Sequence, residues 1–186
     1  TGWYAPGMNL HRSAFDARYT EYYSEDGLLM GKVVAGVSRG LNSKGGYLFI
    51  KHFALHNDGG GVMVYRGQMG SAEAGKTAGM AVWASEQTMR QIYFKAYELA
   101  VKEGNARAAM SAFNRIGYTW AGANKALLTD LLRTEWGFKG FVVTDIAIYA
   151  GMMDGDAMVR AGGDLVLSAG MGVCNLTDAT LKSATG

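Results

Sequence analysis

The stretch "NKALLTDLLRTEWGFKGFVVTD", from Asn124 to Asp145, contains the repeating unit from which the fold is predicted. Its first part has the spacing of a helix with one buried face, with leucines at Leu128, Leu131 and Leu132. Gly137 is a stop signal for that helix. The continuous apolar run from Phe141 to Thr144 is typical of a strand that is buried on both faces. The stretch therefore predicts a helix followed by a core strand.

The same alternation recurs along the chain. Four further apolar runs predict strands, at Trp3 to Ala5, Tyr47 to Ile50, Ala108 to Ala112 and Leu165 to Leu167. Helical patterns lie between them, and the clearest begins after Ser85 as N-cap and ends at Gly104. Continuous apolar strands separated by helices predict a parallel α/β sheet covered on both faces, or a β/α barrel.

The length of the chain sets how much of a barrel it forms. A complete (β/α)8 barrel of the TIM type takes eight strands and about 250 residues. If the fold is a barrel, about five strands in 186 residues predict one partial β/α barrel domain over residues 1–186. Residues 56–82 interrupt the alternation with a long glycine-rich loop, and loops of that length are usually functional or mobile.

Composition narrows the class of protein. With 49% hydrophobic and 18% charged residues the chain belongs among globular proteins, and a net charge of +2 without basic runs argues against nucleic acid or a membrane surface as partner. No apolar segment reaches the length of a membrane span, and no leader pattern opens the chain, so the sequence leaves its localisation unknown.

The single Cys174 has no partner for a disulfide or a zinc site, and no cofactor or metal is predicted.

Polar residues that follow the predicted strands are candidates for function, because both architectures place their sites at the carboxyl ends of the strands. These are Arg18, Lys51, His52 and Asp145. Each has a structural alternative. An Asp after a strand is often the N-cap of the next helix, and Arg18 could simply pair with Glu21 three residues on. Lys51 and His52 could be a solvated cation and a structural histidine.

Five motifs carry a resemblance to a known family. The strings "WYAPGMNLHR", "YYSED", "IKHFAL", "EWGFKGFVVTD" and "RAGGDLVL", in this order, resemble the N-terminal barrel domain of glycoside hydrolase family 3, the β-glucosidase group. The resemblance implies a retaining hydrolase of terminal β-linked sugars that needs no cofactor. It implies that Asp145 is the nucleophile, that Arg18, Lys51 and His52 bind sugar hydroxyls, and that Met110 forms an apolar wall beside the sugar.

The sequence also departs from the family pattern. Ile146 stands where Trp or Tyr is usual after the nucleophile, and Phe113 stands where a Tyr is common. The loop after "KHFAL" begins "HND" and runs into glycines. "KHFALHND" resembles the string "KHFPGHGD" of a hexosaminidase branch of the family, and this resemblance makes His56 a weak candidate for a proton donor. These departures indicate an alternative function, a sugar-binding relative that has lost catalysis.

Two parts of the family's site are expected outside this chain. The resemblance implies an acidic sugar ligand before Thr1 and a general acid/base after Gly186. We therefore expect weak or no hydrolysis from the isolated 186 residues. An incomplete parallel barrel also has unpaired strand edges, which favour association with the missing barrel segments or with a second copy.

The stretch "GSAEAGKT", Gly70 to Thr77, supports a third hypothesis. It matches the phosphate-loop pattern, in which backbone N–H groups and a lysine hold phosphates. In a nucleotide-binding protein, "FVVTD" would be the strand whose Asp145 binds Mg²⁺. Gly79 weakens the helix that should follow, and 27 glycines make a chance match easy. The five ordered motifs favour the sugar hydrolase.

Overall fold

All five predicted strands are present in the protein, for which a computed structural model describes residues 1–14, 18–57, 81–147, 153–168, 176–177 and 182. The described residues form eight strands. In chain order these are β1 (Gly2–Trp3), β2 (Tyr47–Phe53), β3 (Ala81–Val82), β4 (Ala108–Ser111), β5 (Arg115–Ile116), β6 (Thr119–Trp120), β7 (Phe141–Ile146) and β8 (Leu165–Leu167).

Helices separate the long strands. They are α1 (Gly27–Asn42), α2 (Glu86–Thr88), which continues through a π-helical turn (Met89–Tyr93) into α3 (Lys95–Lys102), a wide π-type helix (Ala126–Glu135), and α4 (Gly155–Ala161). Three helices begin at side-chain caps, because Asp26, Ser85 and Asp154 each accept hydrogen bonds from backbone N–H groups of the first turn. Helix α4 ends at Gly162, whose φ of 98° is a left-handed conformation that suits glycine.

The main sheet has the strand order β1-β2-β4-β7-β8, and every pair in it is parallel. Each strand therefore neighbours the next core strand along the chain, with a helical segment in between. Open doubly wound sheets reverse their strand order at a switch point, whereas a barrel keeps the order sequential. This sheet is thus a run of five β/α units in barrel order, as the sequence predicts.

The two faces of the sheet carry different apolar clusters. Alternate residues such as Leu48, Ile50 and Val142 point to the helices and join the large core with Met30, Tyr97 and Leu128. The other face, which we call the inner face, holds a smaller cluster of Phe49, Ala108, Met110 and Val143. Near its end, Tyr4 stacks on Phe49 with ring centroids 4.3 Å apart. The inner face is the one that a closed barrel would enclose.

A small second sheet was not predicted. Strands β3, β5 and β6 form it; β3 lies at the end of the predicted glycine-rich loop, and β5 and β6 lie in the segment after β4. Its strands are only two residues long, so they carry no periodicity from which to predict them. Trp120 at its end donates its indole N–H to Ala112 O over 2.9 Å and so fixes the hairpin to the end of β4.

Two regions from the sequence analysis lie outside the described residues. Positions 58–80 hold nearly all of the predicted glycine-rich loop and the whole "GSAEAGKT" stretch, and Cys174 falls in a second gap. Among the helices of the described part of the chain, none combines the length and the apolar character needed to cross a membrane.

Candidate active site

The residues predicted for a site meet at the carboxyl ends of the strands. Lys51 and His52 lie near the end of β2, Asp145 lies near the end of β7, and Met110 belongs to β4, which separates those two strands. Arg18 belongs to the segment between β1 and α1. Because parallel strands end at one edge, residues some 130 positions apart along the chain become neighbours.

Arg18 is the centre of a charged network. Its Nε donates to Glu21 Oε1 over 2.5 Å, and Lys51 Nζ lies 3.2 Å from the other Glu21 oxygen. Burial raises the pKa of Glu21, but hydrogen bonds and charges from Arg18 and Lys51 outweigh it, so that pKa is lowered overall. The local Arg18–Glu21 pair considered from the sequence therefore exists, and it also reaches a second cation.

Arg18 also contacts two histidines. Its Nη2 lies 2.9 Å from His52 Nε2, and its Nη1 lies 2.8 Å from His56 Nε2. A guanidinium has only donors, so both Nε2 atoms accept and carry no proton in this arrangement. The alternative that Arg18 serves only a local salt bridge is therefore wrong.

His52 is held by Asn9, which sequence reasoning did not single out. Asn9 Nδ2 donates to His52 O over 3.0 Å, and Asn9 Oδ1 accepts from the His52 backbone N–H over 2.9 Å and from Nδ1 over 3.2 Å. These bonds place the ring proton on Nδ1. Asn9 reaches this position because the chain after β1 runs beside β2, with Met8 N donating to Lys51 O. Asn9 lies within the "WYAPGMN" motif, which was the available signal.

Burial sets the charge state of His52. The side chain is almost inaccessible, and burial, followed by the neighbouring His56 and Arg18, lowers its pKa well below the usual value. Tyr97 O–H donates to His52 O over 2.9 Å from the helix-facing core. His52 is therefore a neutral, fixed ring at neutral pH.

Asp145 is a buried carboxyl with one oxygen engaged by the backbone. It is 8% exposed, and its Oδ1 accepts the Ile146 N–H over 2.7 Å. Its Oδ2 is buried and accepts no hydrogen bond from the described residues. Burial raises the pKa of Asp145 to about 6, against the lowering effects of the Ile146 N–H, Arg18 and Lys51. The N-cap of helix α4 is Asp154, so Asp145 does not have that structural role.

Met110 and Ile146 define the apolar surroundings. Met110 is buried on the inner face with Phe49 and Val143, the face that Asp145 shares by strand alternation. Ile146 points the other way and packs with Phe113 and Trp120 in a separate cluster. The family resemblance predicts Trp or Tyr at this position. Ile146 occupies it and completes local packing instead.

No group of three or more His, Cys, Asp or Glu side chains is arranged to hold a metal within the described ranges. The charges at the site are instead two cations, one fixed carboxylate and the carboxyl of Asp145. Such a set can bind hydroxyl groups through charge-assisted hydrogen bonds and can present a carboxylate to an electrophilic carbon.

Sequential parallel β/α units with a buried carboxyl and cations at the carboxyl ends define a protein of the β/α-barrel class. The chain belongs to glycosyl hydrolase family 3, since the model of that family's N-terminal domain matches residues 2–182.

Curated relatives agree with this assignment. The chain is 36% identical over 168 residues to beta-glucosidase A of Butyrivibrio fibrisolvens, which covers 90% of this chain and 18% of that protein. It is 37% identical over 142 residues to an exo-alpha-(1->6)-L-arabinopyranosidase of Bifidobacterium longum, covering 75% of this chain and 16% of the relative.

Solved structures show the same fold. Beta-glucosidase 3B of Thermotoga neapolitana, in complex with glucose, superposes with a TM-score of 0.77 at 32% identity, over 89% of this chain and 21% of that one. A beta-glucosidase of Paenibacillus barengoltzii gives a TM-score of 0.75 at 34% identity, over 99% of this chain and 20% of the other. The chain thus spans about a fifth of the length of the relatives it matches.

Proposed function

We propose that this chain carries the nucleophile half of the active site of a retaining glycoside hydrolase of the β-glucosidase type. The observation that supports this most strongly is the carboxyl of Asp145, buried at the end of a barrel-order strand with Oδ2 unengaged by the described residues and Arg18 and Lys51 nearby. A carboxylate that attacks carbon needs a free oxygen and an ionised state, and a pKa of about 6 provides the second at neutral pH.

In the proposed reaction, Asp145 Oδ2 attacks the anomeric carbon of a terminal β-linked sugar. The bond from that carbon to the leaving oxygen breaks, and the leaving oxygen takes a proton from a general acid. Water then attacks the same carbon of the glycosyl-enzyme ester and gives a proton to the conjugate base of that general acid, which restores the acid. This releases the sugar with its original configuration and returns Asp145 as a carboxylate.

Arg18, Lys51 and His52 are proposed to bind the sugar hydroxyls. The two cations are partly buried, and hydrogen bonds from charged donors are stronger than those from neutral ones. Met110 and its inner-face neighbours would provide the apolar wall. Glucose is the sugar bound in the Thermotoga neapolitana structure, and we extend a glucose-like ligand to this chain on that basis.

The proton donor is proposed to lie outside the described residues. Glu21 is the acid nearest the network, but its two oxygens contact Arg18 and Lys51 and its pKa is lowered. A general acid needs the opposite, a raised pKa. His56 is equally unsuited, because its Nε2 faces a guanidinium and carries no proton to give.

A covalent trap tests the nucleophile without requiring the general acid. A 2-deoxy-2-fluoro-β-glucoside with a dinitrophenolate leaving group needs no protonation to leave, and the fluorine slows hydrolysis of the ester. We expect mass spectrometry of the intact protein to show one added fluoroglucosyl group, which peptide mapping places on Asp145. Asp145→Asn should remain unlabelled, and Asp130→Asn, an exposed carboxyl on the wide helix, should label like the wild type. Labelling that persists in Asp145→Asn would remove Asp145 from this role.

A second candidate function is sugar binding without turnover. It is favoured by Ile146, which packs into the cluster of Phe113 and Trp120 and provides no aromatic face to a sugar. In this case glucose should raise the melting temperature of the protein while no fluoroglucosyl adduct forms, because a ligand that binds only the folded state stabilises it. An adduct on Asp145 would reject this candidate.

A further inference from the structure

His56 occupies a position that the proposed reaction leaves unexplained. It follows β2 by three residues and is 1% exposed, although its ring is polar. The residue before it, Leu55, has a φ of 64°, a left-handed conformation that is strained for a residue other than glycine. Such strain persists where surrounding contacts over-determine it, and it clusters at functional positions.

The contacts of His56 explain what holds it. Its Nε2 accepts from Arg18 Nη1 over 2.8 Å, and its backbone oxygen accepts from Tyr22 O–H over 3.2 Å. Its ring packs edge-on against His52 at a centroid distance of 4.9 Å, and against Phe113 at 6.1 Å. The strained turn at Leu55 therefore places the buried Nε2 of His56, which is an acceptor, against the guanidinium group of Arg18.

The charge state of His56 fits an acceptor only. Burial and then the charge of Arg18 lower its pKa to about 3. The groups that act on it are Arg18 and Lys51, which oppose a second positive charge, and Glu21 and Asn114, which act in the other direction. At neutral pH the ring is neutral, so it stabilises the guanidinium and adds no charge of its own.

We infer that His56 is a positioning residue for Arg18, forming with His52 and Glu21 a three-sided brace that fixes the plane of the guanidinium group. Glu21 engages Nε, His56 engages Nη1 and His52 engages Nη2. A guanidinium group that is held at all three nitrogens loses little further conformational freedom when it binds a ligand. The consequence for sugar binding rests on the proposed function, whereas the brace itself does not.

The brace is tested first by the protonation of the histidines. In the isotopically labelled protein, two-bond ¹H–¹⁵N correlations distinguish a bare ring nitrogen from a protonated one. We expect His52 and His56 to show a bare Nε2 and no titration between pH 5 and 8, whereas His11, whose Nε2 donates to Tyr22 O, should show a protonated Nε2. A proton on His56 Nε2, or titration of His56 in that interval, would overturn the inference whether or not the protein is a hydrolase.

Two replacements of similar size separate positioning from packing. His56→Leu removes the acceptor, whereas His56→Gln keeps an amide oxygen that can face Arg18. We expect His56→Leu to weaken glucose binding, or to lower kcat/KM for an aryl β-glucoside, by about tenfold or more, and His56→Gln to stay within about threefold of wild type. His11→Leu is the matched control and should not change either quantity.

The pattern of the two variants decides the outcome. Equal losses in His56→Leu and His56→Gln at unchanged folding would mean that the acceptor is irrelevant, and would reject the positioning role. In the leucine variant we also expect the Arg18 Nε resonance to broaden or shift, because one side of the brace is gone. An unchanged Arg18 resonance would contradict the inference independently of any sugar.

Discussion

His52 Nε2 lies 3.6 Å from Asp145 Oδ2, across the width of strand β4, which separates the strands that carry them. The ring nitrogen has no proton on that side, since it accepts from Arg18. The contact is therefore neither a hydrogen bond nor, at neutral pH, an ion pair. Burial raises the pKa of Asp145, and the Ile146 N–H, Arg18 and Lys51 lower it, while His52 only packs against the carboxyl group.

The pH profile of the reaction should reflect this arrangement. With the pKa of Asp145 at about 6, kcat/KM of the complete enzyme should fall about tenfold per pH unit below that value, since only the carboxylate attacks. In Lys51→Met, loss of a neighbouring positive charge should move this acid limb to higher pH. A limb that stays in place would show that Lys51 does not act on Asp145.

Stability should depend on pH through the same carboxyl. Its pKa is raised from 3.8 to about 6, so its contribution is fully present below pH 3.8 and is lost as pH rises through 6. Asp145→Asn cannot ionise, so above pH 7 it should be more stable than wild type by about 2.5 kcal/mol relative to the difference at pH 4. Urea unfolding at both pH values measures this. A difference independent of pH would contradict the raised pKa.

Asn9→Ala should destabilise the fold strongly. Asn9 is 2% exposed and makes three hydrogen bonds with His52. Truncation leaves the buried backbone N–H and the buried ring N–H of His52 without this partner, while His52 O keeps the bond from Tyr97 O–H. We expect a loss of about 2–4 kcal/mol in the free energy of unfolding. Gln87→Ala, an exposed amide in α2, is the control and should change stability by less than about 0.5 kcal/mol.

Glu21→Gln tests the anion shared by the two cations. The amide keeps the size of the side chain but loses the charge that pairs with Arg18 and Lys51. Because both pairs are partly exposed, we expect only about 1 kcal/mol of destabilisation. Sugar binding should weaken by about tenfold, since the brace on Arg18 loses its charged side. Glu98→Gln, which removes an anion from a pair of surface lysines on α3, should leave sugar binding intact.

The packing of α1 on α3 is testable with two glycines of one helix. A Cβ at Gly31 would lie 2.6 Å from Leu99 Cδ1 and 3.1 Å from Ala96 Cα, whereas a Cβ at Gly40 has nothing within 4 Å. Gly31→Ala should therefore destabilise by about 1–3 kcal/mol. Gly40→Ala should stabilise by about 0.5–1 kcal/mol through helix propensity. Thermal unfolding compares the two, and equal shifts would mean that α1 and α3 do not pack this closely.

The sequence was sufficient for the order of the main sheet. Runs such as Phe141–Thr144 are continuous and apolar because their strands are covered on both faces, and that pattern can be read without a structure. The hairpin of β5 and β6 could not be predicted in this way. Its two-residue strands are defined by pairing with each other and by the Trp120 hydrogen bond, which are contacts and not patterns.

The sequence predicted which residues form the site better than it predicted how they contact one another. The structure does bring together the predicted residues Arg18, Lys51, His52, Met110 and Asp145. Their roles stay predictions, and labelling with the fluoroglucoside tests that of Asp145. Asn9 was not singled out from the sequence, and His56 was considered only as a weak candidate for a proton donor and not as an acceptor for Arg18. Whether a histidine is a buried neutral acceptor or an exposed acid depends on burial and on the nearest charge, and neither is encoded in spacing.

Strands β2, β4 and β7 are each paired on both sides in the main sheet, and they carry Lys51, His52, Met110 and Asp145. Amides in such strands open to solvent only in the largest unfolding events, whereas end strands fray at low cost. Hydrogen exchange should therefore be slowest in the strands that hold the site. The segments that connect these strands would then be the parts that move when a ligand enters or leaves. The residues on the strands would keep their positions.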